Sequence, residues 1–153
     1  SDVCSSDLDL LVVSVGGMAA ACVEAASLAN RESVGVTVVD PGWVAPIPKA
    51  LLHLAARYQK IVVVEDGIAV GGIGSNLEAL IHSELPEKEV VTIGLPKEFF
   101  AQAKRKDLLA KFGLDAQSLA RKFISLQSGG SGLILENNSS DSKTFEPSDE
   151  SDR

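Results

Sequence analysis

The residue types that could do chemistry in this chain concentrate in one stretch, Glu65-Asp66-Gly67-Ile68-Ala69-Val70-Gly71-Gly72-Ile73-Gly74-Ser75. An apolar run precedes it, so the carboxylate pair Glu65-Asp66 is expected at a strand end. Gly71, Gly72 and Gly74 would then open a helix, where free backbone N–H groups could receive an anion. No Gly-Lys-Ser/Thr follows, so the stretch is not a P-loop. The same residues also suit a purely geometric job, in which the glycines permit a compact turn and close helix–strand packing while Ser75 helps to cap the helix.

Other candidates carry less. Val15-Gly16-Gly17-Met18 reads as a tight strand-to-helix turn but lacks the third glycine of a dinucleotide fingerprint. Asp40, Gly42 and Trp43 fall in the loop after a second strand, and Trp43 suits packing against a neighbouring domain. His53 and His82 lie in helical patterns without HxxE or HExxH spacing, which leaves too few ligands for a zinc or di-metal site. No Ser sits in a GxSxG elbow. Lys104-Arg105-Lys106 reads as a solvated basic face. Cys4 and Cys22 are too far apart for a CxxC motif, and Cys22, inside an apolar helical pattern, is expected to be buried and reduced. No catalytic, cofactor-binding or metal-ligating residue is assigned on this basis.

The elements that must position these residues alternate. Leu10–Val15, Val34–Val39 and Ile61–Val64 are nearly continuous β-branched runs of strand length, the pattern of strands buried on both faces. Helical faces follow each of them: Met18, Cys22, Ala25 and Ala29; then Leu51, Leu54, Ala55 and Tyr58; then Ile73, Leu77, Leu80 and Ile81. A fourth strand, Val90–Ile93, leads through Gly94-Leu95-Pro96 to two short helices near 107–112 and 115–125, with Gly113 as a stop and Asp115 as an N-cap. The pattern predicts an α/β fold: a three-layer open sheet, mainly parallel, of four to five strands with helices on both faces. Ligands of such sheets bind beyond the carboxyl ends of the strands.

The 153 residues carry 21 acidic and 14 basic side chains, a net charge of −7 that argues against a nucleic-acid partner. From Gln127 onward, six acidic and two basic residues lie among Ser, Gly and Asn, so −4 of the charge belongs to the tail. The composition predicts that residues 127–153 are disordered, with Leu133-Ile134-Leu135 as an isolated apolar spot. Residues 1–8 form a polar flank without the basic start of a signal peptide, and no run approaches the ~20 apolar residues of a membrane helix. A cytoplasmic location is the default expectation. Met18 is the single methionine and the chain starts at Ser1, which suggests a fragment or a processed piece.

Four segments in order, VVSVGGMAAACVEAASLA, GVTVVDPGWVAPIP, VVVEDGIAVGGIGSNLEALI and IGLPKEFFAQAKRKDLLAKFGLDAQSLARK, resemble the C-terminal domain of the 1-deoxy-D-xylulose-5-phosphate synthase family. The resemblance runs from about Asp9 to Ile124, within a domain expected over 9–126. The EDG-to-GGIGS loop is shared loosely with transketolases and 2-oxoacid dehydrogenase beta subunits, whereas Gly-Leu-Pro-x-x-Phe followed by Gly-Leu-Asp-Ala resembles the synthase in particular. The resemblance implies a parent enzyme that uses thiamine diphosphate and Mg2+ to decarboxylate pyruvate and join the remaining two carbons to glyceraldehyde 3-phosphate, in the non-mevalonate route to isoprenoids. In that family the cofactor is held by other domains through a Gly-Asp-Gly motif and a downstream Asn. Glu65-Asp66-Gly67 is not that motif, and Asn76 follows too closely.

This chain is therefore expected to bind neither cofactor nor metal by itself. Its expected partners are the other domains of the parent and the homodimer mate, with Asp40, Gly42, Trp43, Glu65, Asp66, Gly71, Gly72, Gly74 and Ser75 on cleft or interdomain loops. The resemblance also implies an antiparallel edge strand just upstream of Asp9. The family commonly carries an arginine where this chain has Gly42, and a lysine is frequent at the position of Ala45. A glycine cannot supply the bidentate phosphate contacts of an arginine. Two rival readings are a stand-alone interaction module of the same fold, and the C-terminal domain of another thiamine-diphosphate enzyme.

Overall fold

The computed structural model describes residues 10–42, 46–68, 70–97 and 104–128. The polar flank, Trp43, Ala45, Ala69, Phe99, Phe100, the Leu133–Leu135 spot and the acidic tail beyond Ser128 lie outside the described residues.

Four strands, β1 (Leu10–Val15), β2 (Val36–Val39), β3 (Lys60–Ile68) and β4 (Glu89–Leu95), form one sheet in the order β2-β1-β3-β4, and every neighbouring pair is parallel. Five helices accompany them: α1 (Ala19–Arg31), α2 (Lys49–Ala55), α3 (Ile73–Glu84), α4 (Arg105–Lys111) and α5 (Ala116–Gln127). β1 pairs on both sides and is buried along its whole length, which explains its unbroken apolar run. Its side chains alternate between two cores. Leu10 and Val12 join Met18, Cys22, Ala25, Ala29, Leu119 and Phe123 under α1 and α5. Leu11, Val13 and Val15 join Leu51, Ala55, Tyr58, Leu77 and Ile81 under α2 and α3. The three-layer α/β architecture expected from the pattern is the one observed. Sealing Phe123 away from water stabilises the fold by about 1.5–3 kcal/mol.

Local details follow the chemistry of the chain ends of each element. Asp115 caps α5, its carboxylate accepting the Ser118 N–H at 3.1 Å. α1 ends without a glycine: Ser33, at φ 63°, takes the left-handed position while Ser33 N–H donates to Asn30 and Val34 N–H to Ala29. Lys60 Nζ donates to the Leu126 carbonyl at 2.6 Å and lies 3.5 Å from Glu89, so one ammonium ties the start of β3 to the negative end of α5 and to β4.

Two expectations are corrected. Ile73 does not share the buried face of α3 but is 39% exposed, because Gly74, Leu77 and Ile81 are the residues turned onto the sheet. Glu65-Asp66 does not end β3, which continues to Ile68. Val64 pairs with Ile93 and Ile68 with Leu95, four steps along β3 against two along β4, so the carboxylates sit on a bulge. Bulges re-aim side chains without ending the strand, and this one depends on the partner strand rather than on local sequence.

Candidate functional site

The chain reverses its direction of winding between β1 and β3. After β1 it crosses through α1 on one face to the outer strand β2, and after β3 it crosses through α3 on the opposite face to β4. The carboxyl ends of β1 and β3 therefore flank a topological switch point, the place where open α/β sheets bind ligands. Gly16 and Gly17 follow β1 there, and Glu65 and Asp66 lie on the bulge of β3.

The two carboxylates have separate environments. Glu65 is 3% exposed, and its Oε2 accepts the Gly74 N–H at 3.0 Å, while Oε1 is buried with no hydrogen-bond partner in the structure. Its carboxylate thus lies at the N-terminus of α3, where an unpaired N–H and the helix dipole favour negative charge. The place that an external anion would take at Gly74 is filled by the chain itself. A methyl group on Gly74 would lie 2.6 Å from Thr92 Cγ2 and 3.4 Å from Val63 Cγ1, so the helix approaches the sheet closely because this residue has no side chain. Ser75 works one step back from the helix: its hydroxyl accepts the Gly71 N–H at 3.2 Å, and the N-cap itself, Gly72, has no side-chain bond.

Asp66 points the other way. Its Oδ2 accepts from Arg105 Nη2 at 2.7 Å and from the Gly17 N–H at 3.3 Å, which joins β3, the β1–α1 turn and the first residue of α4. A Cβ on Gly16, at φ +70°, would meet Asp66 Oδ1 at 2.4 Å, and one on Gly17 would meet Arg105 Nη2 at 2.9 Å. Burial raises the Asp66 carboxyl, but the hydrogen bond and charge of Arg105 together with the Gly17 N–H outweigh it, and the group stays below the ordinary carboxylate value. Lys104, Arg105 and Lys106 are all exposed, as a solvated basic face requires, and Arg105 also holds an ion pair with a residue 39 positions away, which neither residue shows in its local context.

The third loop, after β2, is different. Asp40 and Gly42 are exposed, and Asp40 Oδ1 accepts the Gly42 N–H at 2.8 Å in a local turn. Gly42 has φ +65° and, among the described residues, no atom within 4 Å of a built Cβ, so a side chain there meets chiefly the left-handed backbone strain of about 1–2 kcal/mol. His53 is exposed. His82 lies 3.7 Å from Glu78, whose other oxygen accepts from the Thr92 hydroxyl at 3.1 Å. Cys22 is fully buried on α1, and burial pushes its thiol up to about 12. Among the described residues no group of three or more His, Cys, Asp or Glu could hold a metal ion, and no helix is long and apolar enough to cross a membrane.

A parallel three-layer sheet with this order and these glycine-rich connections defines a class, and residues 2–119 match the family described as transketolase, C-terminal domain; the chain belongs to that family. The relatives are more particular. The chain is 43% identical over 118 residues to a 1-deoxy-D-xylulose-5-phosphate synthase of Thermobifida fusca, covering 77% of this chain and 18% of that protein. It is 36% identical over 120 residues to the synthase of Renibacterium salmoninarum, covering 78% and 18%. A solved structure described as a split gene transketolase, inactive beta4 tetramer, superposes with a TM-score of 0.67 at 31% identity, over 78% of this chain and 40% of that one. The resemblance to the synthase family's C-terminal domain is thereby supported. The chain spans less than a fifth of the length of these synthases.

Proposed function

We propose that this chain is the C-terminal domain of a thiamine-diphosphate-dependent 1-deoxy-D-xylulose-5-phosphate synthase and is catalytically silent alone. The parent would decarboxylate pyruvate and transfer the remaining two carbons to glyceraldehyde 3-phosphate. The observation that carries this reading is the 43% identity over 118 residues to such a synthase. The parent's cofactor would supply the carbanion-stabilising chemistry. The residues present here do not fit its metal and diphosphate: Glu65 is buried against Gly74, and Asp66 is engaged by Arg105 and Gly17. The cofactor and Mg2+ are accordingly assigned to the other domains.

In this reading the domain closes one side of the active-site cleft and supports the homodimer. Asp40, Gly42 and Trp43 lie on the loop offered to the cleft, and Gly71, Gly72, Gly74 and Ser75 shape the loop beside it. The partners are the parent's other domains and its dimer mate, with no nucleic acid or membrane, and the location is cytoplasmic. Calorimetry of the purified chain with thiamine diphosphate and Mg2+ should show no binding, and micromolar, Mg2+-dependent binding would overturn the cofactor assignment. A chimera of the Thermobifida fusca synthase carrying this chain in place of its own transketolase C-terminal domain should turn over pyruvate and glyceraldehyde 3-phosphate. A folded, dimeric chimera that is inactive on this pair but active with other donor and acceptor pairs would assign the chain to a different thiamine enzyme.

A further inference from the structure

We infer that α4 is a strap held over the β1–β3 switch point in part by the Asp66–Arg105 ion pair, and that breaking this pair makes the strap open more often while the rest of the domain stays folded.

α4 has seven residues, none of them buried, and no side chain caps its N-terminus. Leu109 packs against the core under α1 and α5, but the first fully buried residue beyond the helix is Leu114, which follows the Gly113 stop. Among the described residues, Arg105 supplies a contact at the other end. It reaches from the first position of α4 to Asp66 at 2.7 Å and lies over Gly17, where its Nη2 is 2.9 Å from the site of a built Cβ. A short helix without buried residues sits at the low-stability end of a fold, and the Asp66–Arg105 pair, together with the packing of Leu109, then sets how often it opens. Hinging at Gly113 would leave α5 in place, because Leu119, Ala120, Phe123 and Leu126 hold it to the core. The pair is part-exposed, Arg105 at 59% and Asp66 at 32%, so salt screens it and its contribution is modest.

Amide hydrogen exchange of the full chain tests this. The reporters are Leu108 N–H and Phe112 N–H, which donate to the Lys104 and Leu108 carbonyls across α4 and its two caps, with Leu119 N–H of α5 as the reference. Arg105→Gln leaves Asp66 on the Gly17 N–H and should speed exchange of the α4 reporters roughly two- to fivefold with the reference unchanged. Asp66→Asn should give the same acceleration, and the double variant no more than either single one. Raising NaCl from 50 to 500 mM should accelerate α4 exchange in the wild type but not in the double variant. Unchanged α4 exchange in Arg105→Gln would overturn the proposal. Equal acceleration in α4 and α5 would overturn it too, since the pair would then stabilise the whole domain rather than tether a strap.

Discussion

Gly74 is where helix α3 comes closest to the sheet, and Gly74→Ala is the substitution whose cost the structure specifies best. The added methyl would lie 2.6 Å from Thr92 Cγ2, about 1 Å short of ordinary van der Waals contact, with Val63 Cγ1 at 3.4 Å and Glu65 Cδ at 3.5 Å closing the other sides. Either α3 lifts from β4 or Thr92 changes rotamer and loses its hydrogen bond to Glu78. Overpacking of this kind costs about 1–3 kcal/mol. If the helix lifts, the Gly74 N–H leaves Glu65, whose buried carboxylate has no other hydrogen bond among the described residues, at a further cost of about 1–3 kcal/mol. Alanine's better helix propensity returns about 1 kcal/mol. A net loss of about 2 kcal/mol results, which at a urea slope of about 1.5 kcal/mol/M lowers the unfolding midpoint by roughly 1 M. Urea denaturation followed by circular dichroism measures it. Thr92→Ser removes the offending methyl and keeps the hydroxyl, so Gly74→Ala/Thr92→Ser should recover most of the loss. An unchanged midpoint in Gly74→Ala, or a double variant no better than the single, would refute the reasoning that close packing fixes this glycine.

Ser33→Gly should stabilise the domain by about 0.5–1 kcal/mol in the same assay, because Ser33 holds a left-handed conformation at the end of α1 that glycine adopts without strain. Cys22, studied in a Cys4→Ser background, should resist a thiol reagent at pH 8 in the native state and react fully in urea, since its side chain is buried and its thiol is pushed up to about 12. Rapid native labelling would show that α1 opens locally. Asp66 and Asp115 both have carboxyls lowered in the folded state, Asp66 against its burial by Arg105 and Gly17, and Asp115 by hydrogen bonds from Ser118. Their contribution is present above the unfolded value of about 3.9 and is lost as pH falls through the lower folded values. The urea midpoint should therefore fall below about pH 4, and less steeply in Asp66→Asn/Asp115→Asn; parallel curves would exclude these two groups as the cause.

What could be read from the chain depends on the range of the interaction. β1 begins and ends where its β-branched run does, because a strand buried on both faces needs apolar residues throughout. The 3.6-residue spacing of Met18, Cys22, Ala25 and Ala29 places all four in one core, and Asp115 caps α5 through a residue three positions on. These are local rules. The extension of β3 through Glu65 and Asp66 is not local, since it depends on how Val64 and Ile68 pair with β4. Arg105 is harder still: its partner is 39 residues away, and a basic triplet gives no sign of which of its members will be tied down. The same limit explains Gly74, whose neighbour Thr92 comes from a different strand. The composition of the glycine-rich stretch allowed both an anion receptor and a tight corner. The side chain of Glu65, aimed inward by the bulge, occupies the receptor position at Gly74.

The arrangement at the carboxyl end of the sheet narrows where such a domain can vary in function. The turn after β1 is bound to the bulge of β3 through Asp66, and that bulge is bound to α3 through Glu65, so changes there alter packing before they alter chemistry. The loop after β2 carries no such obligation among the described residues: Asp40 and Gly42 are exposed, bond only locally, and leave open space where a side chain at position 42 would begin. A side chain at position 42 would therefore begin clear of the described core, and its cost would be the left-handed backbone conformation alone. In this chain that position is glycine. The fold can therefore be retained in full while the side chain at this one exposed turn changes.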